Sequence, residues 1–427
     1  MHTRRTVLLF ALSAVLGAEV HSISLKKAVE LALRQNPDVA LAKLDEQKAA
    51  EDVRIARDPF IPRVVVGSGL AYSSGFPMSI EGSAPSIIQA QATGALFNRP
   101  QSLRVAQARE EARGAAISAT LKRDEVMYRT ATLYLEAERA GRTAQALRGQ
   151  VENLEKVVRI VRTRLAEGRE LPIEVRKAEL GVARSRQKVE SYLAAQEFAE
   201  RSLAVVLGFG ADDRVRPVEE PRDKIELPVS EEAAIDTALR SSQELKRLES
   251  ASASKILEIR VNKAERLPQI DLVAQYGLFA RFNNYEDFFR KFQRHNGQLG
   301  MSLQIPLFTG PSAGARAAKA EVDVARLRIE AAALRNRISL ETRQRFHEIR
   351  QAESGCEVAK LDLDVAREQL SILLAGLEEG RVSLRQVEEA RVLESEKWLG
   401  FYEAHYRLEL TQLNIVRQTG GLMAVLR

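Results

Sequence analysis

The sequence predicts a mainly α-helical protein that is duplicated internally and carries a transmembrane β part of four strands per chain. Three observations lead to this fold class. The prolines are clustered, so that long intervals of the sequence contain none. A set of short sequence motifs from the first half recurs in the second half, and four segments have the length of membrane-spanning strands. The chain has 427 residues with only 24 Gly and 13 Pro, and Ala, Leu, Glu, Lys and Arg make up about half of it, which is typical of long helices.

Composition excludes several classes of protein. The single cysteine, Cys356, allows no intramolecular disulfide and no cysteine-based metal site. The 64 basic and 58 acidic side chains leave a net charge of +6, but the two signs are interspersed and form no basic block. We therefore expect no nucleic-acid partner.

Residues 1–22 are predicted to be a secretory signal peptide. Arg4 and Arg5 precede the apolar run Val7–Leu16, and small or β-branched residues follow it. A run of about ten apolar residues is too short to cross a bilayer as a helix, but it is long enough for the core of a signal peptide. The mature chain is therefore expected to be exported.

The proline-free intervals predict very long helices, because a proline inside a helix costs about 3 kcal/mol. These intervals are 101–171, 173–216, 229–267 and 312–427. Heptad spacing occurs in two of them, at Val151, Leu154, Val158, Val161 and Leu165 and again at Leu363, Ala366, Leu370, Leu373 and Leu377. At about 1.5 Å per residue, a helix from Gln101 to Glu167 would be roughly 100 Å long, which indicates a rod.

Four landmarks occur twice in the same order, which indicates two copies of one module. The matching pairs are Ala28–Arg34 with Ala234–Arg240, Ile61-Pro62 with Leu267-Pro268, Leu96-Phe97 with Leu307-Phe308, and Glu167-Gly168-Arg169 with Glu379-Gly380-Arg381. Each copy is expected to contain a helix of about 35 residues, two extended segments, a very long helix, a glycine turn and a further helix. The predicted organisation is a first repeat at 23–208, a linker at 209–229, a second repeat at 230–420 and a C-terminal tail at 421–427.

The extended segments have the length and the pattern of membrane strands. They lie at 62–72, 88–96, 268–279 and 298–306, and about 9–11 residues suffice for a strand to cross a membrane. The third segment alternates apolar residues such as Leu272 with polar ones such as Asp271, as a strand between lipid and water would. A half-buried strand of a soluble sheet has the same pattern. Four strands leave two open edges, so a sheet in lipid would have to be closed by further chains.

Together these residues resemble the TolC family of outer-membrane efflux channels. The resemblance covers residues 23–420 and rests on the following motifs: Leu25-x-x-Ala28-Val29-x-Leu31-Ala32-Leu33-x-x-Asn36-Pro37, Leu267-Pro268, Ile305-Pro306-Leu307-Phe308-x-Gly310, and the glycine turns at Gly168 and Gly380. It implies a homotrimer in which a long α-helical coiled-coil barrel, the periplasmic tunnel, joins a 12-stranded β-barrel with four strands per chain in outer-membrane lipid. It also implies a passive export duct of a tripartite efflux or type I secretion system, working with a periplasmic adaptor protein and an inner-membrane pump of the RND or ABC type.

The same resemblance implies positions for functional residues. Counting from the glycine turns places Glu174, Gln386 and Glu389 at the periplasmic aperture, although Gln386 departs from the aspartate that the family often has there. A solvated helix face is the alternative for these residues. The hairpin tips at Gly168, Val175, Gly380 and Val387 are expected to dock the adaptor.

Five aromatic residues crowd the loop between the third and fourth extended segments. In a barrel this loop would lie at the extracellular mouth, where the rings could anchor to the membrane interface or plug the opening. A small self-packed cluster within the loop is the alternative. The residues are Phe282, Tyr285, Phe288, Phe289 and Phe292.

The sequence contains no constellation that predicts an enzyme, a cofactor or a metal site. His347-Glu348 begins like a zinc-protease helix, but Gln351 stands where that motif requires a second histidine. A periplasmic coiled-coil adaptor or scaffold protein of a transport complex is the alternative function, because it would share the signal peptide and the heptads.

Overall fold

The structure, a computed structural model, describes residues 19–69, 86–218, 220, 225, 227–281, 290, 293–308, 310–379 and 381–426. Within these residues the chain forms six strands and nine α-helices. In chain order they are β1 (Val20–Ile23), α1 (Leu25–Gln35), α2 (Pro37–Arg57), β2 (Arg63–Gly69), β3 (Ser86–Asn98), α3 (Arg99–Ala166), α4 (Pro172–Val206), β4 (Arg214–Pro217), α5 (Glu231–Ser241), α6 (Gln243–Ala264), β5 (Gln269–Phe279), β6 (His295–Gln304), α7 (Gly310–Glu378), α8 (Leu384–Gln418) and α9 (Leu422–Leu426).

The four predicted extended segments form one antiparallel sheet. Its strand order is β2, β3, β5, β6, so the strand pairs of the two repeats meet through β3 and β5. The prediction of four strands is confirmed, with shifted ends: β3 runs from Ser86 to Asn98, whereas the sequence predicted 88–96.

The prediction of very long helices is also confirmed. α3 has 68 residues and α7 has 69, far above the usual length of about 11 residues. α3 follows β3 directly, and the side-chain oxygen of Asn98 accepts a hydrogen bond from the backbone N–H of Gln101 at 2.9 Å. Asn98 thus caps the helix, and Pro100 lies in the first turn, where its missing N–H is tolerated.

Each repeat begins with two helices, whereas the sequence predicted one helix of about 35 residues. In the first repeat α1 ends before Asn36-Pro37, because Pro37 has no N–H to donate and disfavours a helical residue before it. At this break the side chain of Asn36 donates a hydrogen bond to the carbonyl of Val206 at 2.8 Å. In the second repeat the break falls at Ser242, between α5 and α6.

A small parallel sheet that the sequence analysis did not predict joins β1 to β4. Val20 pairs with Arg214 and Ile23 pairs with Pro217. β4 lies in the predicted linker, and β1 includes the last residues of the predicted signal peptide. The rest of that peptide, residues 1–18, lies outside the described residues.

The chain divides into two compact units, and each contains parts of both repeats. The first unit comprises Met1–Ala40, Lys122–Ser242 and Ile338–Arg427, and the second comprises Leu41–Leu121 and Gln243–Arg337. The core of the first unit contains the buried side chains Met127, Tyr134, Leu147, Leu203, Leu207 and Ile415. The second unit contains the four-stranded sheet and a small cluster of Leu103, Val261 and Ala264.

Among the described helices, none combines the length and the apolar character that a membrane crossing needs.

Candidate channel wall and hairpin tips

The four-stranded sheet has one polar and one apolar face. On the polar face Gln91, Gln275 and Gln298 stand directly opposite one another on β3, β5 and β6. The apolar face carries Leu299 and Met301, which are 79% and 73% exposed. Because such a large exposed apolar surface is unfavourable in water, this face requires contact with lipid or with another protein.

The edges of this sheet are open in the single chain. β2 and β6 are the outermost strands, and within the described part of the chain each has a strand neighbour on one side alone. An open edge presents unpaired N–H and C=O groups that readily pair with another chain.

The first hairpin tip joins α3 to α4 through a glycine turn. Gly168 has a φ of 70°, and its N–H donates to the carbonyl of Leu165 at 3.0 Å. The N–H of Arg169 donates to the carbonyl of Arg164 at 2.8 Å. These two bonds form a Schellman motif, for which glycine is favoured because it adopts a positive φ without strain.

At the second tip, α7 ends with the same type of backbone hydrogen bond as α3, and α8 begins with a side-chain cap. Arg381 donates from its N–H to the carbonyl of Gly376 at 2.9 Å, whereas Gly380 itself lies outside the described residues. Ser383 and Gln386 form a capping box, in which the N–H of Ser383 donates to the side-chain oxygen of Gln386 at 2.9 Å. Gln386, a predicted aperture residue, therefore uses its side chain to cap α8.

Charges from the two tips act on one arginine. Arg385 donates to the carboxylate of Glu389 at 3.0 Å, and the pKa of Arg385 is raised by Glu389 and further by Glu174. The pKa of Glu174 is lowered, first by the hydrogen bond that Lys177 donates at 2.7 Å and also by the charge of Arg385. The predicted aperture residues Glu174 and Glu389 thus share an electrostatic partner that the sequence analysis missed.

The valines predicted at the tips are buried. Val175 is 9% exposed and Val387 is 0% exposed, so both side chains pack inside the hairpins. The exposed apolar side chains at the first tip are Leu171 and Ile173, at 64% and 50%. They flank Pro172, and the Leu-Pro-Ile sequence after the glycine turn was the signal that could have identified them.

One carboxyl group near the second tip is half-buried. Burial raises the pKa of Glu388, and Arg391, at 3.6 Å, acts in the opposite direction. Counting from Gly380 leads to the neighbouring Glu389, because position along the chain does not reveal which carboxylate loses contact with water.

The loop aromatics Phe282, Tyr285, Phe288, Phe289 and Phe292 lie outside the described residues. In the ranges that the structure describes, no group of three or more His, Cys, Asp or Glu side chains is arranged to hold a metal ion.

Comparison with known families assigns the chain. The profile of the outer membrane efflux protein family matches residues 28–209 and 234–421, which together make up most of the sequence. The chain belongs to this family. The two matched segments fall on the two predicted repeats, and membership favours an export channel over the periplasmic adaptor alternative.

Solved channels have the same fold as this efflux protein. The similarity to CusC has a TM-score of 0.77 at 15% identity and covers 96% of each chain. The outer membrane channel CmeC of Campylobacter jejuni gives 0.76 at 14% identity, covering 93% of the efflux protein and 85% of CmeC. The MtrE outer membrane channel of Neisseria gonorrhoeae, solved in its open state, gives 0.72 at 14% identity, with 93% and 89% covered.

At these identities the similarity of the efflux protein to the solved channels concerns the fold. A comparison of its sequence with curated proteins found no match. The matched family and the solved structures are efflux proteins and channels, not enzymes.

Proposed function

We propose that this efflux protein acts as a homotrimer in the outer membrane and serves as the passive export duct of a tripartite efflux or type I secretion system. Three chains would supply 12 strands to one closed barrel, four from each sheet. The long helices would continue the barrel as a tunnel through the periplasm. The predicted signal peptide supports export to this compartment.

The observation that carries this proposal is the four-stranded sheet with an exposed apolar face and two open edges. In lipid, unpaired backbone groups cost several kcal/mol each, so such a sheet has to close. β2 and β6 run in opposite directions, because the three ladders between them are all antiparallel. β6 of one chain and β2 of the next would therefore pair as antiparallel strands and repeat the pairing found within the chain.

At the periplasmic end, Glu174 and Glu389 of three chains would form the charged aperture, with Gln386 capping the helix that carries Glu389. Like charges gathered on a threefold axis repel one another and retain counter-ions. The charge of Arg385 attracts both Glu174 and Glu389, and it would offset this repulsion in the closed channel.

The hairpin tips would dock a periplasmic adaptor protein, which contacts an inner-membrane pump of the RND or ABC type. The turns at Gly168 and Gly380 would provide the tip backbone. Leu171 and Ile173 would provide an apolar contact at the first tip, because they are exposed, and Val175 and Val387 would support the tips from within the hairpins.

Cysteine cross-linking between sheet edges tests the trimer. In a Cys356→Ser background, which removes the only thiol, Val66→Cys on β2 is combined with Leu299→Cys or Met301→Cys on β6. Treating outer membranes with a short bismaleimide should yield covalent dimers and trimers. The matched control, Ala92→Cys with Ala274→Cys, joins strands paired within one chain and should yield only monomers. Edge pairs that never link chains would contradict the barrel.

A second experiment tests the partners. An affinity-tagged chain is purified from cross-linked cells of its own host, and the bound proteins are identified by mass spectrometry. We expect an adaptor together with a pump of either type, and Leu171→Glu with Ile173→Glu should reduce their yield. A full yield of adaptor from this double variant would exclude the first tip as the docking site.

A further inference from the structure

Three amide side chains form the last row of the polar face at the helical end of the sheet. Gln269 of β5 stands opposite Asn98 of β3 on one side and opposite Gln304 of β6 on the other. Asn98 donates from its side chain to the side-chain oxygen of Gln269 at 3.1 Å. In the described part of the chain, no group accepts a hydrogen bond from the side-chain N–H groups of Gln269 or Gln304. Two amide donors are therefore available to a ligand.

A cavity of about 760 Å³ adjoins this row. Small-molecule sites usually have volumes of about 300–1,000 Å³. Among the described residues, the walls of the cavity contain, besides the three amides, one guanidinium, one carboxylate and three apolar side chains, which belong to Arg104, Glu265, Pro100, Ile305 and Pro306. All of these residues lie in the second compact unit. The cavity is thus formed by a single chain and combines polar, charged and apolar walls.

The charges beside the cavity leave one positive charge in excess. One carboxylate oxygen of Glu265 accepts a hydrogen bond from Arg316, and the other lies 3.7 Å from Nη2 of Arg104. Two guanidinium groups therefore share one carboxylate. At 3.7 Å the contact of Arg104 with Glu265 is an ion pair and not a hydrogen bond. Nη1 of Arg104 donates to the side chain of Gln101 at 3.2 Å, which leaves further N–H groups of the guanidinium for an anion.

These groups indicate the chemistry of a ligand. Arginine and amide N–H groups require an acceptor, and a carboxylate is the partner that a guanidinium can bind through two parallel hydrogen bonds. A metal cation does not fit, because Glu265 is the one carboxylate among the described residues of the walls and is already paired with arginines. Ile305 is 53% exposed and, with Pro100 and Pro306, offers apolar surface to the rest of a ligand.

We propose that this cavity, the junction site, binds a small organic carboxylate. The carboxylate group of the ligand would lie between Arg104 and the amides of Gln269 and Gln304, and its apolar part would contact Ile305 and Pro306. In the proposed channel the polar face lines the interior, so three chains would place three such sites where the tunnel opens into the barrel. The place of the junction site on the export path rests on the proposed function, to which it adds organic anions as a class of cargo.

Binding of dansylglycine tests the junction site. Dansylglycine carries one carboxylate on an apolar ring system, and dansylamide has the same rings without the carboxylate. Isothermal titration calorimetry of the full-length protein in detergent, corrected by titration into detergent alone, measures the affinity for both compounds. We expect one dansylglycine to bind per chain, more tightly than dansylamide. Equal affinity for the two compounds would overturn the proposal, because apolar contact alone would then explain binding.

Two variants should change the affinity for dansylglycine in opposite directions. Arg104→Gln removes the guanidinium and should weaken binding about tenfold. Glu265→Gln removes the carboxylate that competes with the ligand for Arg104 and should strengthen binding about threefold, which mere disruption of the site would not do. The control is Arg109→Gln, at an exposed position of α3 outside the cavity walls, and it should leave the affinity unchanged.

The outcomes separate failure of the junction site from failure of the channel. If Glu265→Gln weakens binding, Glu265 attracts the ligand and the site does not select anions. If dansylglycine does not bind although the edge cysteines of β2 and β6 link neighbouring chains, the junction site alone is wrong. If dansylglycine binds as expected but the edge cysteines never link chains, the site is confirmed for the single chain, and its place on an export path fails together with the proposed function.

Discussion

The buried carboxylate of Glu200 on α4 accepts two hydrogen bonds from the guanidinium of Arg214 on β4, at 2.9 and 2.7 Å. Arg216 donates a further bond at 3.1 Å. β4 also pairs with β1, so these bonds fix the small parallel sheet on α4. The segment that the sequence presented as a linker is therefore held to the helical part of its unit by a buried charge.

Replacing Glu200 should destabilise the protein more than replacing an exposed neighbour on the same helix. Removing one partner of a buried ion pair leaves the other charges uncompensated, and because Arg214 is 25% exposed we expect a loss of about 2–3 kcal/mol for Glu200→Ala. Thermal unfolding of the purified protein in detergent measures this loss. Glu197→Ala, at an exposed position, should cost less than about 1 kcal/mol. Equal melting temperatures for the two variants would show that the buried pair contributes nothing.

Strong local signals made the helices and strands predictable. A proline is so costly inside a helix that its absence over a long interval reveals α3 and α7, and alternation along the chain reveals strands of the four-stranded sheet. β1 and β4 could not be found in this way, since four residues are too few for a pattern. The break at Asn36-Pro37 could have been predicted, because Pro37 disfavours a helical residue before it.

The site was predictable where it depended on local sequence. Ser383 and Gln386 have the spacing of a capping box, and this signal could have revealed that Gln386 is a helix cap. The action of both Glu174 and Glu389 on Arg385 could not be predicted, because it depends on two tips that only the fold brings together. The bulge at Leu96, which places Phe97 opposite Ile270, could not be predicted, because alternation alone does not reveal a bulge.

Two glycine substitutions should change stability in opposite directions. Gly208 has a φ of 86°, and a Cβ there would lie 2.9 Å from the carbonyl oxygen of Gln35, so Gly208→Ala should destabilise by about 1–2 kcal/mol. Gly181 lies inside α4 with open space around it, and Gly181→Ala should stabilise by about 0.5–1 kcal/mol. Melting temperatures of the two variants measured side by side test both signs. If both changes stabilise, the end of α4 is not held against Gln35.

Glu388→Gln should stabilise the protein at neutral pH and lose this effect in acid. Burial raises the pKa of Glu388, so the folded chain binds this proton more tightly than the unfolded chain does. Ionisation therefore costs stability above the raised pKa, and the cost disappears below the ordinary carboxyl pKa of about 4.3. Melting temperatures from neutral to acidic pH measure the difference between Glu388→Gln and wild type. The exposed Glu396→Gln on the same helix should show no such trend, and a pH-independent difference at Glu388 would contradict the role of burial.

Arg385→Gln should raise the preference of the reconstituted channel for cations. Arg385 donates to Glu389 at 3.0 Å and attracts Glu174, so its removal leaves both carboxylates of each chain without this compensation. We expect the cation-to-anion permeability ratio in planar bilayers to rise on the order of twofold at low salt. Because the charges are exposed, the rise should fade as the Debye length shortens from about 10 Å at 0.1 M to about 3 Å at 1 M salt.

Arg381→Gln removes an arginine of the same tip that pairs with Glu379 at 3.2 Å, and it should leave the ratio nearly unchanged. If both arginine variants shift the ratio equally, the charge of the whole tip determines selectivity and Glu174 and Glu389 do not form the aperture.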